Sequence, residues 1–315
     1  MRMPFVDRVS SRRSFLQSSA CLGAGAVAWV AGGSALRRVR AADGASARTL
    51  PRVPGILKLH AQRRVETAVQ GGRVEPIVEE LNWQVSETAI IICDMWADHP
   101  CQLAAQRVGA MAPKMNRVVT EARAQGVAVI HAPSSGVKHY EQTPFRKRMK
   151  QAARAEPPVP IKGWCYLDPE KEDKLPIDDS DGGCDDPNPQ PNPGFDRHEH
   201  PAIKIVGYDG ISADGQEIYN FLEQEGIKNV VMMGVHANMC ILGRPFGIRQ
   251  LRYLGKDVVL VRDLTDAMYD PRDAPHVSHK RGTQLVVEHI ERYWCPTILS
   301  RDLTSVVPGS DGPAK

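Results

Sequence analysis

The stretch Val230-Val231-Met232-Met233-Gly234-Val235-His236-Ala237-Asn238-Met239-Cys240 opens as a continuous apolar run and closes on a cysteine. An apolar run without alternation reads as a strand buried on both faces, the habit of parallel sheets. Residues 240–254 carry helical spacing and stop at Gly255, so Cys240 heads the helix that follows. Working outward, the same couplet recurs. Ala89-Ile90-Ile91-Ile92-Cys93 is a buried strand, and residues 103–125 form a helix ending at Gly126. Val127-Ala128-Val129-Ile130 is a strand before a helix over 140–154, and a helix over 214–225 precedes the quoted run. Val258-Val259-Leu260-Val261, a helix over 276–293 and a short strand Thr297-Ile298-Leu299 complete the series. Alternation of this kind predicts βαβ units and a parallel sheet covered by helices on both sides.

Two regions depart from that rhythm. Between Gly55 and Trp83, Leu57, Leu59 and Ala61 alternate with Lys58, His60 and Gln62, and Gly71-Gly72 offers a turn. This predicts an N-terminal β hairpin or extension, reached through a linker at 43–54. Residues 156–201 are crowded with proline, aspartate and glycine. So long a loop inside a compact domain is often functional, and it is expected beside the strand C-termini, where α/β proteins bind ligands.

The chain has 315 residues, 42% hydrophobic and 24% charged. These proportions exclude disorder, collagen and coiled coil. The formal charge is +3, but residues 1–41 hold seven arginines and one acid; the remainder carries 33 basic against 36 acidic residues. That balance gives no electrostatic reason to expect nucleic acid as a partner. Ser11-Arg12-Arg13-Ser14-Phe15-Leu16-Gln17 resembles a twin-arginine export signal, and the apolar stretch Ala20–Leu36 is too short and glycine-rich for a good membrane span. Small residues at Ala41-Ala42 suit a signal peptidase. Residues 1–41 are therefore expected to be removed on export to the periplasm, leaving a body without membrane attachment. The six remaining cysteines, Cys93, Cys101, Cys165, Cys184, Cys240 and Cys295, are too few for a disulfide scaffold, and their pairing is left open.

Strand ends carry the candidate chemistry. Asp94 follows one buried strand, and Cys240 follows another at a helix start. Free N–H groups at a helix N-terminus stabilise a thiolate, lower the thiol pKa and can hold a developing oxyanion. An aspartate across the crevice can take the thiol proton and return it to a leaving group.

These segments resemble the isochorismatase-like cysteine hydrolases, which include nicotinamidases and related amidases. The resemblance spans roughly residues 87–300 and is carried by Gly234-Val235-His236-Ala237-Asn238-Met239-Cys240, with Ile91-Ile92-Cys93-Asp94 in support. It implies a three-layer αβα fold with a six-stranded, largely parallel sheet and a Cys–Asp–Lys triad. Carried over, Cys240 is the nucleophile, Asp94 the acid/base and Lys204, in Ala202-Ile203-Lys204-Ile205-Val206, the lysine. It also implies a non-proline cis peptide at Val235–His236, with Val235, His236, Ala237, Asn238 and Trp96 lining the oxyanion and substrate site. In that arrangement Cys240 attacks an amide-like carbonyl, Asp94 protonates the leaving amine and Asp94-activated water cleaves the thioester. The corresponding domains are an export signal at 1–41, a linker and β extension at 42–86, a hydrolase domain at 87–305 with the insertion 156–201, and a tail at 306–315.

Departures from the family pattern point to a branch with its own substrate. Asn238 stands where relatives are often acidic, His236 is bulkier than the common small residue, and Trp96 and His99 replace the usual surroundings of the aspartate. Pro245 predicts a kink or a late start to the helix after Cys240. No cofactor is expected. A divalent metal at Asp94, Asp98, His99 and His131, or in the acidic run Asp178–Asp186, is the lesser alternative, since the spacing is neither that of the nicotinamidase zinc site nor that of an EF-hand. The expected partner is a small-molecule substrate, with a homo-oligomer as the expected assembly. The competing readings are a non-catalytic periplasmic binding or assembly protein on the same fold, and a thiol- or metal-handling protein using Cys101, Cys165, Cys184 and Cys295.

Overall fold

Strand β3 (Thr88–Cys93) is buried along its whole length, and its side chains divide between two cores. Ala89, Ile91 and Cys93 enter one, while Ile90 and Ile92 enter the other. The unalternated run Ala89–Cys93 is thus a strand with protein on both faces. This is a computed structural model, in which residues 49–67 and 72–307 are described; the expected export signal lies outside them.

After β3 come α1 (Gln102–Ala124), β4 (Ala128–Ala132), α2 (Pro144–Gln151), β5 (Gly210–Ile211), α3 (Gly215–Gln224) and β6 (Asn229–Val235). The chain continues through α4 (Cys240–Gly243), α5 (Ile248–Tyr253), β7 (Asp257–Asp266), α6 (His279–Tyr293) and β8 (Thr297–Ile298). The strands β8-β7-β6-β3-β4-β5 lie side by side in parallel. One core packs under α1 through Val108, Ala112, Met115 and Val119. The other packs under α3, α5 and α6 through Phe221, Leu222, Leu251, Val286 and Ile290.

The sheet has nine strands in all, more than the six that the resemblance implies. The extra strands come from both ends of the described chain. β1 (Ile56–Glu66) and β2 (Val74–Gln84) form the expected hairpin, in register from Ile56↔Gln84 to Glu66↔Val74. The hairpin extends the sheet edgewise, with β1 pairing β8 at Gln62↔Thr297. β9 (Val306–Val307) pairs β1 at Leu57↔Val306, so the expected tail begins inside the sheet. The expected linker is anchored at its end, where Thr49 and Leu50 donate to the Glu225 carboxylate.

Two elements differ from the sequence reading. β5 has only two residues, too few to show as an apolar run. The helix expected over 240–254 is two short helices, α4 and α5, interrupted at Arg244–Gly247. Pro245 accounts for the interruption: it lacks an N–H and disfavours helical geometry in the residue before it, Arg244, which is extended (φ −59°, ψ 157°).

Candidate active site

The strand order locates the site. From β3 the chain moves to β4 and β5 on one side, then crosses back to β6 on the other. Ligands of open α/β sheets bind at such a reversal, outside the strand C-termini. β3 and β6 end together, Cys93 opposite Gly234, so the residues that follow, Asp94 and His236–Cys240, meet at the crevice. A Cβ on Gly234 would lie 2.1 Å from the Cys93 carbonyl oxygen, and φ there is +109°. Only glycine lets the two strand ends approach this closely.

Asp94 has a left-handed backbone (φ +50°) and is 1% exposed. Its Oδ1 accepts the Ser134 N–H at 2.7 Å, and its Oδ2 accepts Nε and Nη2 of Arg244 at 3.3 and 3.2 Å. The Cys240 thiol feels both groups, the Asp94 carboxylate raising its pKa and the Arg244 guanidinium lowering it. Arg244 lies over the Trp164 ring, 5.5 Å from its centroid.

Cys240 and Asp94 are thus brought together, and the cation beside them is Arg244. Lys204 is exposed; its Nζ donates to the Pro201 carbonyl and its backbone N–H to Asn116. The extended path at Arg244 turns its side chain back toward Asp94.

The thiol is not activated at rest as the helix-start reading expects. Burial, then the Asp94 charge, push the Cys240 pKa up to about 12 against the opposing Arg244. α4 has only four residues, so few aligned peptides are available to stabilise a thiolate.

The Val235–His236 peptide is cis. Ala237 is not a free donor, because its N–H goes to the Asp266 carbonyl at 2.7 Å. Asn238 is held by the loop after β7: its Oδ1 accepts the Met268 N–H, and its Nδ2 donates to the Met268 carbonyl and Asp179. Its amide fastens chain to chain and is not left over for a substrate. The His236 ring is buried edge-on to His99 at 5.1 Å. Burial and the neighbouring His99 push its pKa down to about 3, so the ring is neutral.

Several buried polar atoms here have no partner in the protein: Trp96 Nε1, Ser134 Oγ, Glu199 Oε2 and His236 Nε2. Trp96 pairs through its backbone with Glu199, and Ser134 binds Asp94. Glu199 Oε1 meets His131 Nδ1 at 3.1 Å, and His131 Nε2 meets Asp209 at 3.1 Å. Arg123 closes the chain with two 2.8 Å bonds to Asp209. Burial alone would lower the His131 pKa, but its bonds to Asp209 and Glu199 raise it to about 9. Burial holds the Glu199 carboxyl above its usual range. Glu199, Ser134 and Arg244 were not legible in the sequence, since each joins the site from a loop.

With both ring nitrogens engaged, His131 has no lone pair for a metal. The backbone N–H of Cys101 donates to His99 Nδ1, and Asp98 is bonded to the His99 N–H and Asn192. Among the described residues, the group of three close ligand atoms is Cys101, Cys184 and Asp186, which does not include Asp94, Asp98, His99 or His131.

The 156–201 segment lies along this crevice. The Cys165 N–H donates to the Gly243 carbonyl at 2.7 Å, and His200 N–H to Met95 at 2.7 Å. Ala97 N–H donates to His198, and Phe195 packs on Trp96.

No protein-family model and no curated protein matches the chain. Among solved structures it is similar to a cysteine hydrolase from Pseudomonas syringae pv. phaseolicola 1448A, at 15% identity over 70% of this chain and 91% of that one, with a TM-score of 0.43. It is also similar to an isochorismatase family protein from Desulfovibrio vulgaris, at 17% identity over 69% and 96% with a TM-score of 0.39. A nicotinamidase from Staphylococcus aureus aligns at 12% identity over 65% and 94%, with a TM-score of 0.28. The functional reading rests on this chain's own geometry.

Proposed function

We propose that the protein is a cysteine hydrolase that cleaves a C–N, amide-like bond of a small molecule through a Cys240 thioester. The observation that carries this reading is the convergence of the Cys240 thiol, the Asp94 carboxylate and the Arg244 guanidinium at the reversal of strand order.

A thiol with a pKa near 12 is protonated at neutral pH. Attack therefore requires Asp94 to take the proton as the C–S bond forms. Arg244 keeps its charge throughout, so it orients Asp94 and offsets the negative charge without exchanging protons. Asp94 then protonates the departing nitrogen, and water deprotonated by Asp94 opens the thioester. With the Ala237 N–H engaged by Asp266 and those of Met239 and Ile241 by the His236 carbonyl, the donor for the oxyanion is the Cys240 N–H at the start of α4. Ser134 Oγ, Trp96 Nε1 and Glu199 Oε2 are the side-chain atoms offered to the rest of the substrate. Export by the twin-arginine route is part of the same proposal and rests on Ser11–Gln17.

A panel of small amides assayed for ammonia or amine release tests the reading. Turnover is expected for at least one amide in the wild-type protein and none in Cys240→Ala. Full activity in Cys240→Ala, with the fold intact by circular dichroism, would exclude the thioester route.

A further inference from the structure

Away from the Cys240 crevice, the insertion meets the start of α1 through a second set of reactive side chains. Among the described residues, Cys101 Sγ, Cys184 Sγ and a carboxylate oxygen of Asp186 are the one group of three ligand atoms lying within 4.8 Å of one another. We propose that Cys101, Cys184 and Asp186 bind a zinc-class divalent ion that staples the insertion to α1.

The donor set selects the ion. Two sulfurs and one carboxylate oxygen suit a borderline-soft tetrahedral cation and disfavour calcium or magnesium, which take oxygen ligands. The carboxylate is held in place: Asp186 accepts the Gln102 N–H at 2.7 Å and the Leu103 N–H at 2.8 Å, each oxygen keeping a second lone pair. Fixing of this kind orients a ligand before the ion arrives. The surroundings are also closed on one side. Cys101 is 1% exposed and packs with Ala104 and Met268, and Cys184 and Met239 border the same cluster. Cys184 is only half-buried, which leaves a way in and room for water as fourth ligand.

Proton bookkeeping favours a metal over a disulfide. The Cys101 thiol donates to Asp185 Oδ1 at 3.6 Å, beside the Asp186 oxygen and the Cys184 sulfur that lie within 4.8 Å of it. One divalent ion can replace the two thiol protons: M²⁺ with two Cys–SH and one Asp carboxylate gives the three-ligand complex and releases two protons, with no change in overall charge at the cluster. Disulfide formation would instead remove two protons and two electrons, requiring a thiol oxidant, and would leave Asp186 facing sulfurs with nothing to donate. The other cysteines of the insertion and C-terminal region do not join: Cys165 donates to Gln250 Oε1 at 3.3 Å, and Cys295 is buried in the core under α6.

The consequence concerns position. Met239 borders this cluster and immediately precedes Cys240. An ion here would fix the insertion against both α1 and the chain leading into the nucleophile.

The test uses the full chain, reduced and stripped by a chelator, titrated with Co²⁺ alone and then with competing Zn²⁺. The expected result is one Co²⁺ per chain with a thiolate-to-cobalt charge-transfer band, two protons released per ion, and displacement by Zn²⁺. Cys184→Ser, at the half-exposed position and so least harmful to folding, and Asp186→Asn are each expected to weaken binding at least ~100-fold, beyond the ~10–100-fold that loss of an outer partner costs. A missing charge-transfer band, a band unchanged in folded Cys184→Ser, or a Cys101–Cys184 disulfide mapped in protein purified without reductant would overturn the proposal.

Discussion

At the scale of single residues, the Asp94–Cys240 pair makes a test that separates two roles of one carboxylate. Asp94 raises the Cys240 pKa by its charge, and in the proposed mechanism it also accepts the thiol proton. Asp94→Asn removes both effects. Turnover is expected to fall by ~10²–10⁴-fold, the usual contribution of a general base. Alkylation of Cys240 by iodoacetamide at pH 7 is expected to speed up, because the thiol pKa drops toward its ordinary value and more thiolate is present. Arg244→Gln is expected to move alkylation the other way, since Arg244 is the group that lowers the pKa. Parallel changes in alkylation for both variants, measured by mass spectrometry against pH, would contradict this electrostatic assignment. Asp94 was legible because it follows directly on a buried strand, and Cys240 because it heads the helix that comes after another. The cation was not, because placing it requires the path of the chain after Gly243. Lys204 had the right charge in the wrong surroundings, and Arg244 reaches Asp94 only because α4 stops after one turn.

At the scale of elements, the insertion is held by a buried ion-pair cluster. Glu172 receives a two-pronged contact from Arg249 of α5 (2.6 and 2.9 Å) and further bonds from His289 of α6 and Trp294, each at 2.8 Å. Burial works against its charged form, yet these bonds bring its pKa down to about 2. Its contribution to stability is therefore present above about pH 4.5 and lost as the pH falls through about 2. Glu172→Gln leaves Arg249 buried without its counter-charge, and breaking such a pair costs about 3–5 kcal/mol. A drop of that order in urea unfolding is expected, together with faster proteolytic cutting within 156–201. An unchanged midpoint would show that the cluster does not anchor the segment. The long βαβ elements were readable from apolar runs and glycine stops, most within a few residues of their ends. The insertion's path was not, since its hold on the domain depends on distant side-chain pairs such as Glu172–Arg249 and Asp186 with the start of α1, which have no local pattern.

At the scale of the whole molecule, the buried series Glu199–His131–Asp209–Arg123 ties the insertion to β4 and α1, and its charge makes stability depend on pH. The His131 pKa is raised from 6.5 to about 9. A raised histidine contributes fully below its unfolded value and loses that contribution as the pH rises through its folded value. Stability is therefore expected to decline between about pH 6.5 and 9, by about 3 kcal/mol if His131 acts alone. Urea unfolding across that range checks it, with His131→Gln expected to flatten the slope; a slope unchanged in that variant would assign the titration elsewhere. The joining of β1 to β8 and β9 has a different kind of consequence. Gln62 pairs with Thr297, and Leu57 with Val306. The hairpin leaves the ribosome early, while its partner strands are made about 235 residues later. At ~5–20 residues per second that interval is roughly 10–50 s. For that time the inner edge of β1 has no neighbour, and the hairpin faces the cell as an unshielded strand pair, a natural hold-point for a chaperone and a place where premature release would lead to aggregation.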